Sequence, residues 1–481
     1  MKSNFPADLL VDLDRSRPPG LRVQLEKALR RAVRQGSLQQ GTPLPPSRVL
    51  AGELSVSRSL VVGTYEQLIA EGYLEARQGS GTRVRASAAK GRRSPDHGDG
   101  RAMDPVNGPY WPLPSASDGT RIPGIGVPDP ALFPRTEWLR HYRDVLRQTP
   151  ASSLLYPPPR GDLGLRAALA GYLGRVRGVR TTADDVVICS GFSQALALLC
   201  RVLARRGVRR IAVEDPCFRL HRLIVQEAGL EAVPVRVSPE GLEVSRLSDF
   251  GQLGAVVLSP AHSFPSGGVL SANRRFALLA WARDTGGLVI EDDYDAELRY
   301  DRTPVGAMQG MDPAHVAYAG SVSKVLSPAL RLGWIVLPRH LTEAVIRAQL
   351  MENFGTESFG QLTLARFIDS GGFARHLRRV RPVYRARRDA LVRALHRDLP
   401  GIPVRGEVAG LHLMLPMPTR SHPGAAAEVG IRCGLQIEDA SAHWADPADA
   451  PPALLIGYGM ARESALIRGI EALGSYVSGD A

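Results

Sequence analysis

The sequence predicts a multidomain protein: a small, mainly α winged helix-turn-helix module at the N-terminus, then a larger α/β domain on a largely parallel sheet. Three observations carry this. The first 85 residues hold three apolar patterns of helical period, followed by two short strand-like segments around a glycine-rich tip. Residues 86–120 are rich in Gly, Pro, Ser, Ala and charge and show no period, which marks a flexible linker. From 121 to 481, short apolar runs alternate with longer amphipathic stretches, the signature of strand–helix–strand units.

Composition agrees. With 481 residues, 44% of them hydrophobic, the chain is long enough for several domains and a substantial core. The formal net charge is +12, and residues 1–92 alone contribute +7 of it. So uneven a spread predicts an anionic partner for the N-terminal module, nucleic acid foremost, with a merely solvated basic face as the alternative. Cys189, Cys200, Cys217 and Cys433 form no CxxC pair and no metal-ligand spacing, so a reduced cytoplasmic protein without a metal site is expected. No apolar run nears the roughly 18 residues of a membrane span, and the N-terminus lacks the apolar stretch of a signal peptide.

In the module, "LRVQLEKALRRAVRQ" (21–35) places Leu21, Leu25, Ala28, Leu29, Ala32 and Val33 at helical period. "GTPLPPSR" then breaks the chain. Ser47 is read as the N-cap of a short helix through Leu54, and Ser57 as the cap of a longer one through Glu71. Ser55-Val56 is the turn between them. "GYLEARQGSGTRVR" (72–85) supplies two strands with a tip at Gly79-Ser80-Gly81. This is the winged helix-turn-helix order. Arg58 and Ser59 open the third helix, where a recognition helix meets base edges of double-stranded DNA; Arg48 suits a phosphate, and the Gly79 backbone suits a minor groove.

In the large domain, 185–191, 210–215, 253–260, 287–295, 315–323 and 332–338 read as buried strands, and 192–206, 217–229 and 271–285 as helices. Active sites in such sheets form at strand carboxyl ends. "CSGFSQAL" (189–196) ends a strand and opens a helix, so the backbone of Gly191, Phe192 and Ser193 can cradle a phosphate. "VIEDDYDAELRY" (289–300) crowds Glu291, Asp292, Asp293 and Asp295 after a strand. Such a cluster needs cationic partners; a metal ion is one answer and a protonated nitrogen heterocycle another.

The chain has four lysines against 56 arginines, and only Lys324 lies beyond residue 90. Arginine replaces lysine wherever a surface charge suffices, but its guanidinium cannot form an imine. Lys324 follows Ser321 and Ser323 at a strand end, with Arg331 seven residues on. An aldehyde cofactor with a phosphate and a basic ring nitrogen needs a lysine, an acid, hydroxyls and an arginine, and pyridoxal 5′-phosphate is that cofactor.

Segment 43–84 resembles the DNA-binding domain of GntR-type bacterial regulators, and 189–194, 259–267, 291–300 and 320–334 resemble fold type I aminotransferases. Joined through a proline-containing linker, with "SPAHSFPSG" at 259–267, the whole chain resembles the MocR family of regulators, including its GabR and PdxR types. The resemblance implies a large subdomain at about 150–350 and a small one at about 351–481. It implies DNA contacts at Arg48, Arg58, Ser59 and Gly79. In the body it implies an internal aldimine on Lys324, Asp292 at the pyridine nitrogen, Tyr294 at the ring phenolate oxygen and Phe218 against the ring face. Ser321, Ser323, Arg331 and the backbone of 191–193 take the phosphate. It further implies a head-to-tail homodimer in which Tyr156 reaches the partner subunit's site, and a transcription factor sensing pyridoxal phosphate or an amine or amino acid.

The sequence departs from its relatives at Leu60, where a Thr or Ser often stands, at Phe218 for the commoner Tyr, and at Ser263 for a frequent Gln. "PPALLIGYGMAR" (451–462) has no arginine on its apolar run to grip a substrate carboxylate, leaving Arg462, Arg432 and Arg405 as substitutes. Unless one of these serves, the effector is pyridoxal phosphate itself or an unusual amine. Two rival readings stand beside the regulator: a working aminotransferase with an autoregulatory DNA-binding domain, and a GntR-type regulator whose body has lost the cofactor. Turnover would mark the first, and the retention of Lys324, Asp292 and Arg331 speaks against the second.

Overall fold

The computed structural model describes residues 13, 19–34, 37–77, 81–85, 125–301, 305–418 and 422–478. It divides into two compact units, 1–108 and 109–481. The linker at 86–120 and the wing tip with Gly79 lie outside the described residues.

In the first unit, helices α1 (Leu21–Arg34), α2 (Ser47–Glu53) and α3 (Arg58–Ala70) precede the strands β1 (Leu74–Arg77) and β2 (Gly81–Val84). The apolar period of α1 buries Leu25, Leu29, Ala32 and Val33 against Val61, Tyr65 and Leu68 of α3 and against Leu74 and Val84 of the wing. β1 and β2 pair antiparallel, Leu74 opposite Val84 and Arg77 opposite Gly81. The hydroxyl of Ser57 accepts the Leu60 N–H at 3.2 Å, so this cap is as expected. The expectation for Ser47 is corrected: Ser47 is the first helical residue, Pro46 holds the N-cap position, and no side chain caps the helix. Proline fixes its own φ, and its carbonyl takes the N–H groups of Val49 and Leu50 at 2.8 and 3.1 Å.

The second unit is a sandwich of helices around an eight-stranded sheet. Its strands are β3 (Val186–Cys189), β4 (Arg210–Asp215), β5 (Glu231–Ser238), β6 (Gly241–Leu242), β7 (Ala255–Leu258), β8 (Leu288–Asp293), β9 (Val316–Ser321) and β10 (Gly333–Val336). The spatial order is β3-β10-β9-β8-β7-β4-β5-β6. β5, β4, β7, β8 and β9 run parallel; β10 runs against both neighbours, as does the short β6 against β5. The six strands read from the sequence are all present. β5 was not read, because its burial alternates and Pro234 interrupts its apolar run.

Strands buried on both faces read as continuous apolar runs, and here β3, β7 and β10 are buried along their whole length. Helices Phe192–Arg205 and Arg339–Asn353 cover one face, and Ala272–Thr285 contributes Leu278, Leu279 and Ala282 to the core on the other. A three-stranded sheet of β11 (His412–Pro416), β13 (Ala453–Gly457) and β12 (Gln436–Asp439) follows, packed with helices Gly372–Asp398, Pro423–Arg432 and Glu463–Ser478. No helix among the described residues is long and apolar enough to cross a membrane.

Candidate functional site

Register brings one anion-binding corner together. Gly333 opens β10 directly opposite Cys189 of β3 and Ser321 of β9. A Cβ on Gly333 would stand 2.7 Å from Gly191 Cα, so only glycine allows this approach. Gly191, at φ +106, is the N-cap of helix Phe192–Arg205, whose first intrahelical bond runs from Ala195 N–H to the Gly191 carbonyl. The N–H groups of Phe192 and Ser193 therefore have no helical acceptor. Arg331, at φ +49, lays its guanidinium 3.8 Å from where a Gly191 Cβ would be. Among the described residues no carboxylate pairs with Arg331. At the end of β9, Ser321 is buried and its Oγ accepts the Ser323 N–H at 3.3 Å. Helix dipole, bare N–H groups and an unpaired guanidinium make a site for a phosphate dianion.

Beside it, the acid cluster at the end of β8 sorts itself by partner. Asp293 takes a bidentate pair from Arg177 at 2.7 and 3.1 Å and the Tyr318 hydroxyl at 2.7 Å. Glu291 accepts the N–H groups of Met308 and Gln309. Asp295 meets His262 Nδ1 at 2.8 Å. Asp292 is left: its Oδ1 is buried with no hydrogen-bond partner, and its Oδ2 stands 3.6 Å from His221 Nε2. Burial, then the neighbouring Asp293, Asp295 and Glu214, push the Asp292 carboxyl well above the usual range. His221 cannot supply the missing cation, because burial and Arg222 depress its imidazole to about 3.

Lys324 lies close enough to Asp292 and Asp295 for their charges to support its own, against the burial that lowers its pKa. A less basic ammonium is a better nucleophile at neutral pH. Its Nζ donates at 2.8 Å to the carbonyl of Gly126, in the first segment described after the linker. Ile125, Phe264 and Trp444 pack against a buried cluster of Met414, Ala440, Ala453 and Leu455. Farther out, Phe218 is half-exposed and meets His221, Phe264 and His443 with ring centroids 5.6, 5.8 and 6.5 Å away. Tyr294 is half-buried in the same pocket, its hydroxyl 3.0 Å from His262 Nδ1.

Of the residues expected in the body's site, Gly191, Phe192, Ser193, Phe218, Asp292, Tyr294, Ser321, Ser323, Lys324 and Arg331 all lie along these strand ends. Tyr156 does not join them within one chain; it is 85% exposed and contacts Phe354. The sequence reading passed over His221, His262, Gly126 and the Arg177–Asp293 pair. Two signals were available: His221 follows Phe218 by one helical turn, and His262 sits inside the quoted 259–267 loop. The three arginines considered for a carboxylate, Arg405, Arg432 and Arg462, are all exposed, and β13 is buried along its whole length without one.

The first unit presents a second surface. Arg48, Arg58 and Ser59 are exposed, and Arg58 Nε lies 3.4 Å from the Ser47 hydroxyl, linking the starts of α2 and α3. Leu60 is half-buried and packs against the module's core, which explains an apolar residue at that position.

Comparison with known proteins follows the same division. The family model of bacterial regulatory proteins, gntR family, matches residues 21–84, and that of aminotransferase class I and II matches 127–429. The HTH-type pyridoxine biosynthesis transcriptional regulator PdxR of Corynebacterium glutamicum is 33% identical over 417 residues, 85% of this chain and 86% of that protein. The probable rhizopine catabolism regulatory protein MocR of Rhizobium meliloti is 33% identical over 399 residues, 81% of this chain and 80% of that protein. Among solved structures, a kynurenine aminotransferase of Pyrococcus horikoshii superposes with a TM-score of 0.68 at 24% identity, covering 74% of this chain and 90% of that one. At that identity the likeness establishes the fold.

Proposed function

This chain belongs to the MocR/GabR family of regulators, in which a GntR-type DNA-binding domain precedes an aminotransferase class I and II domain, and on that premise we propose that it is a pyridoxal phosphate-dependent transcriptional regulator. The single observation that carries the cofactor reading is the Asp292 oxygen, buried without a partner in a pocket that also holds an imine-forming lysine and an unpaired phosphate-site arginine. A protonated ring nitrogen satisfies that oxygen as no described side chain does. Lys324 would hold the cofactor's aldehyde carbon, Asp292 its ring nitrogen, Tyr294 its phenolate oxygen, and Ser321, Ser323, Arg331 and the 191–193 backbone its phosphate. Bound there, the cofactor supplies an electrophilic carbon that captures primary amines.

The residues then say how ligand and DNA are linked. Lys324 holds the Gly126 carbonyl only while its Nζ is free to donate. Engaging that nitrogen changes the contact at the point where the linker enters the body, so the ligand has the differential interaction that coupling requires. Arg48, Arg58, Ser59 and Gly79 serve as the DNA-contacting set. An effector without a carboxylate is favoured, because the exposed Arg405, Arg432 and Arg462 offer no buried fork.

The working unit is a homodimer, arranged head-to-tail. Leu155, Tyr156, Met351 and Phe354 are all more than half exposed, and the Tyr156–Phe354 ring contact joins their two segments. Apolar side chains so placed suit a subunit interface, with Tyr156 directed to the partner's pocket.

The test is affinity for the protein's own upstream DNA at fixed salt, with and without pyridoxal phosphate. A change makes the cofactor the signal. An unchanged affinity, with the cofactor bound, moves the signal to the amine it captures. Failure of the wild-type protein to give an imine absorption band overturns the cofactor reading.

A further inference from the structure

His262 is 1% exposed, and its two ring nitrogens differ. Nδ1 is 2.8 Å from Asp295 Oδ2 and 3.0 Å from the Tyr294 hydroxyl, whereas Nε2 is buried without a partner. A carboxylate at 2.8 Å requires a donor, which places the proton on Nδ1 and a lone pair on Nε2. Tyr294 has one proton to give, and Asp295, to which its hydroxyl also hydrogen-bonds, competes for it. Burial and Asp295 also hold that phenol well above its usual pKa, so it stays protonated.

We infer that His262 is a positioning residue: by donating from Nδ1 to Asp295 it competes with the Tyr294 hydroxyl for that carboxylate, so that the hydroxyl can turn to donate to the phenolate oxygen of the cofactor. The inference rests on the cofactor reading above and adds to it the device that sets the donor.

The pair is clamped from the other side of the body. Gly410, at φ +82, lies against it so closely that a Cβ would stand 2.6 Å from Asp295 Oδ2 and 2.7 Å from His262 Cε1. The Gly410 carbonyl in turn accepts the hydroxyls of Tyr300 and Tyr458 at 2.6 and 2.7 Å. Strand ends of the large sheet and the approach to β11 therefore fix the His262–Asp295 geometry together.

The readout is the pH midpoint of the visible imine band of the cofactor-loaded protein. A donor to the phenolate oxygen weakens that oxygen's hold on the imine proton and lowers the midpoint; losing the donor raises it. His262→Leu is expected to raise the midpoint by about one pH unit, a tenfold change in the proton equilibrium. His262→Asn, whose amide N–H can stand near the Nδ1 position, is expected to restore it. In a Tyr294→Phe background His262→Leu is expected to add nothing, since the group it positions is gone. Gly410→Ala, pressing a methyl group onto the same pair, is expected to move the midpoint in the same direction and serves if the leucine variant does not fold. A midpoint unmoved by His262→Leu and Gly410→Ala, or a His262→Leu shift undiminished in Tyr294→Phe, overturns the inference while the cofactor reading stands. Absence of any band in the wild type overturns both.

Discussion

The two units carry their chemistry in opposite ways. The N-terminal unit sets Arg48, Arg58 and Ser59 on its surface over a core that is apolar but for residues such as Thr64, so each contact is separable from the fold beneath it. The body buries Asp292 and half-buries Tyr294 and Lys324 inside a network of mutually interacting charges. Exposed contacts are worth a modest and salt-dependent amount each. Buried polar groups fail together when one partner is lost. Substitutions can therefore distinguish the two modes.

The largest effect is expected from Lys324→Ala, which should abolish the imine band altogether while the protein stays folded, because the only hydrogen bond described for its side chain is to Gly126. Absorption and circular dichroism check the two halves of that statement. Next is Arg177→Met. It strips the bidentate partner from the buried Asp293, and removing one member of such a pair costs about 3–5 kcal/mol. Denaturant unfolding followed by tryptophan fluorescence measures this; a loss under about 1 kcal/mol would place the pair in the class of surface ion pairs. Third, Arg58→Ala should weaken specific DNA binding by roughly 1–3 kcal/mol, as for one base-reading side chain, with the imine band and the body's stability unchanged. Unaltered operator affinity would remove Arg58 from the recognition set.

The same contrast explains what the sequence disclosed. Residues whose chemical type points to a role stood out as candidates: Lys324 because no arginine forms an imine, the acids after the β8 run because a ring nitrogen calls for one, and Ser57, whose cap the structure shows, because a serine before an apolar period caps a helix. Roles created by long-range packing were not. Gly126 and Lys324 are 198 residues apart, and nothing in either segment announces the contact. His262 was visible in its loop, but its partners Asp295 and Gly410 come from two other segments. Which of four adjacent acids faces a cofactor was likewise decided elsewhere, by Arg177, Tyr318 and the backbone of Met308 and Gln309. Leu60 departs from its relatives for a packing reason that helical period alone does not show.

The smallest expected effect sharpens the comparison by pH. Glu214 is buried in β4, accepts the Ser259 N–H at 3.0 Å, and is raised by burial to about 7 from an ordinary 4.5. A carboxyl raised on folding binds its proton more tightly in the folded state. Its contribution to stability is therefore fully present below about 4.5, is lost as pH rises through about 7, and is level above. Glu291 and Glu297, each also raised to about 7, slope the same way. Four of the five tryptophans, Trp138, Trp281, Trp334 and Trp444, lie in the body and none precedes residue 111, so their fluorescence follows the body. The part of body stability that these three carboxyls carry is expected to fall as pH rises from about 4.5 through about 7. His221 slopes the opposite way, its depressed imidazole adding stability as pH rises from about 3 to 6.5. Glu214→Gln, which keeps an acceptor for Ser259 and removes the ionisation, should recover on the order of 1 kcal/mol at pH 8 and nothing at pH 4, after internal relaxation is allowed for. Among the described residues of the N-terminal unit the shifted groups are Tyr65 and Arg30, both titrating far above this window, so DNA affinity at fixed salt should not respond to Glu214→Gln. A response there would show that the ionisation of a buried acid in the body reaches the surface that reads DNA.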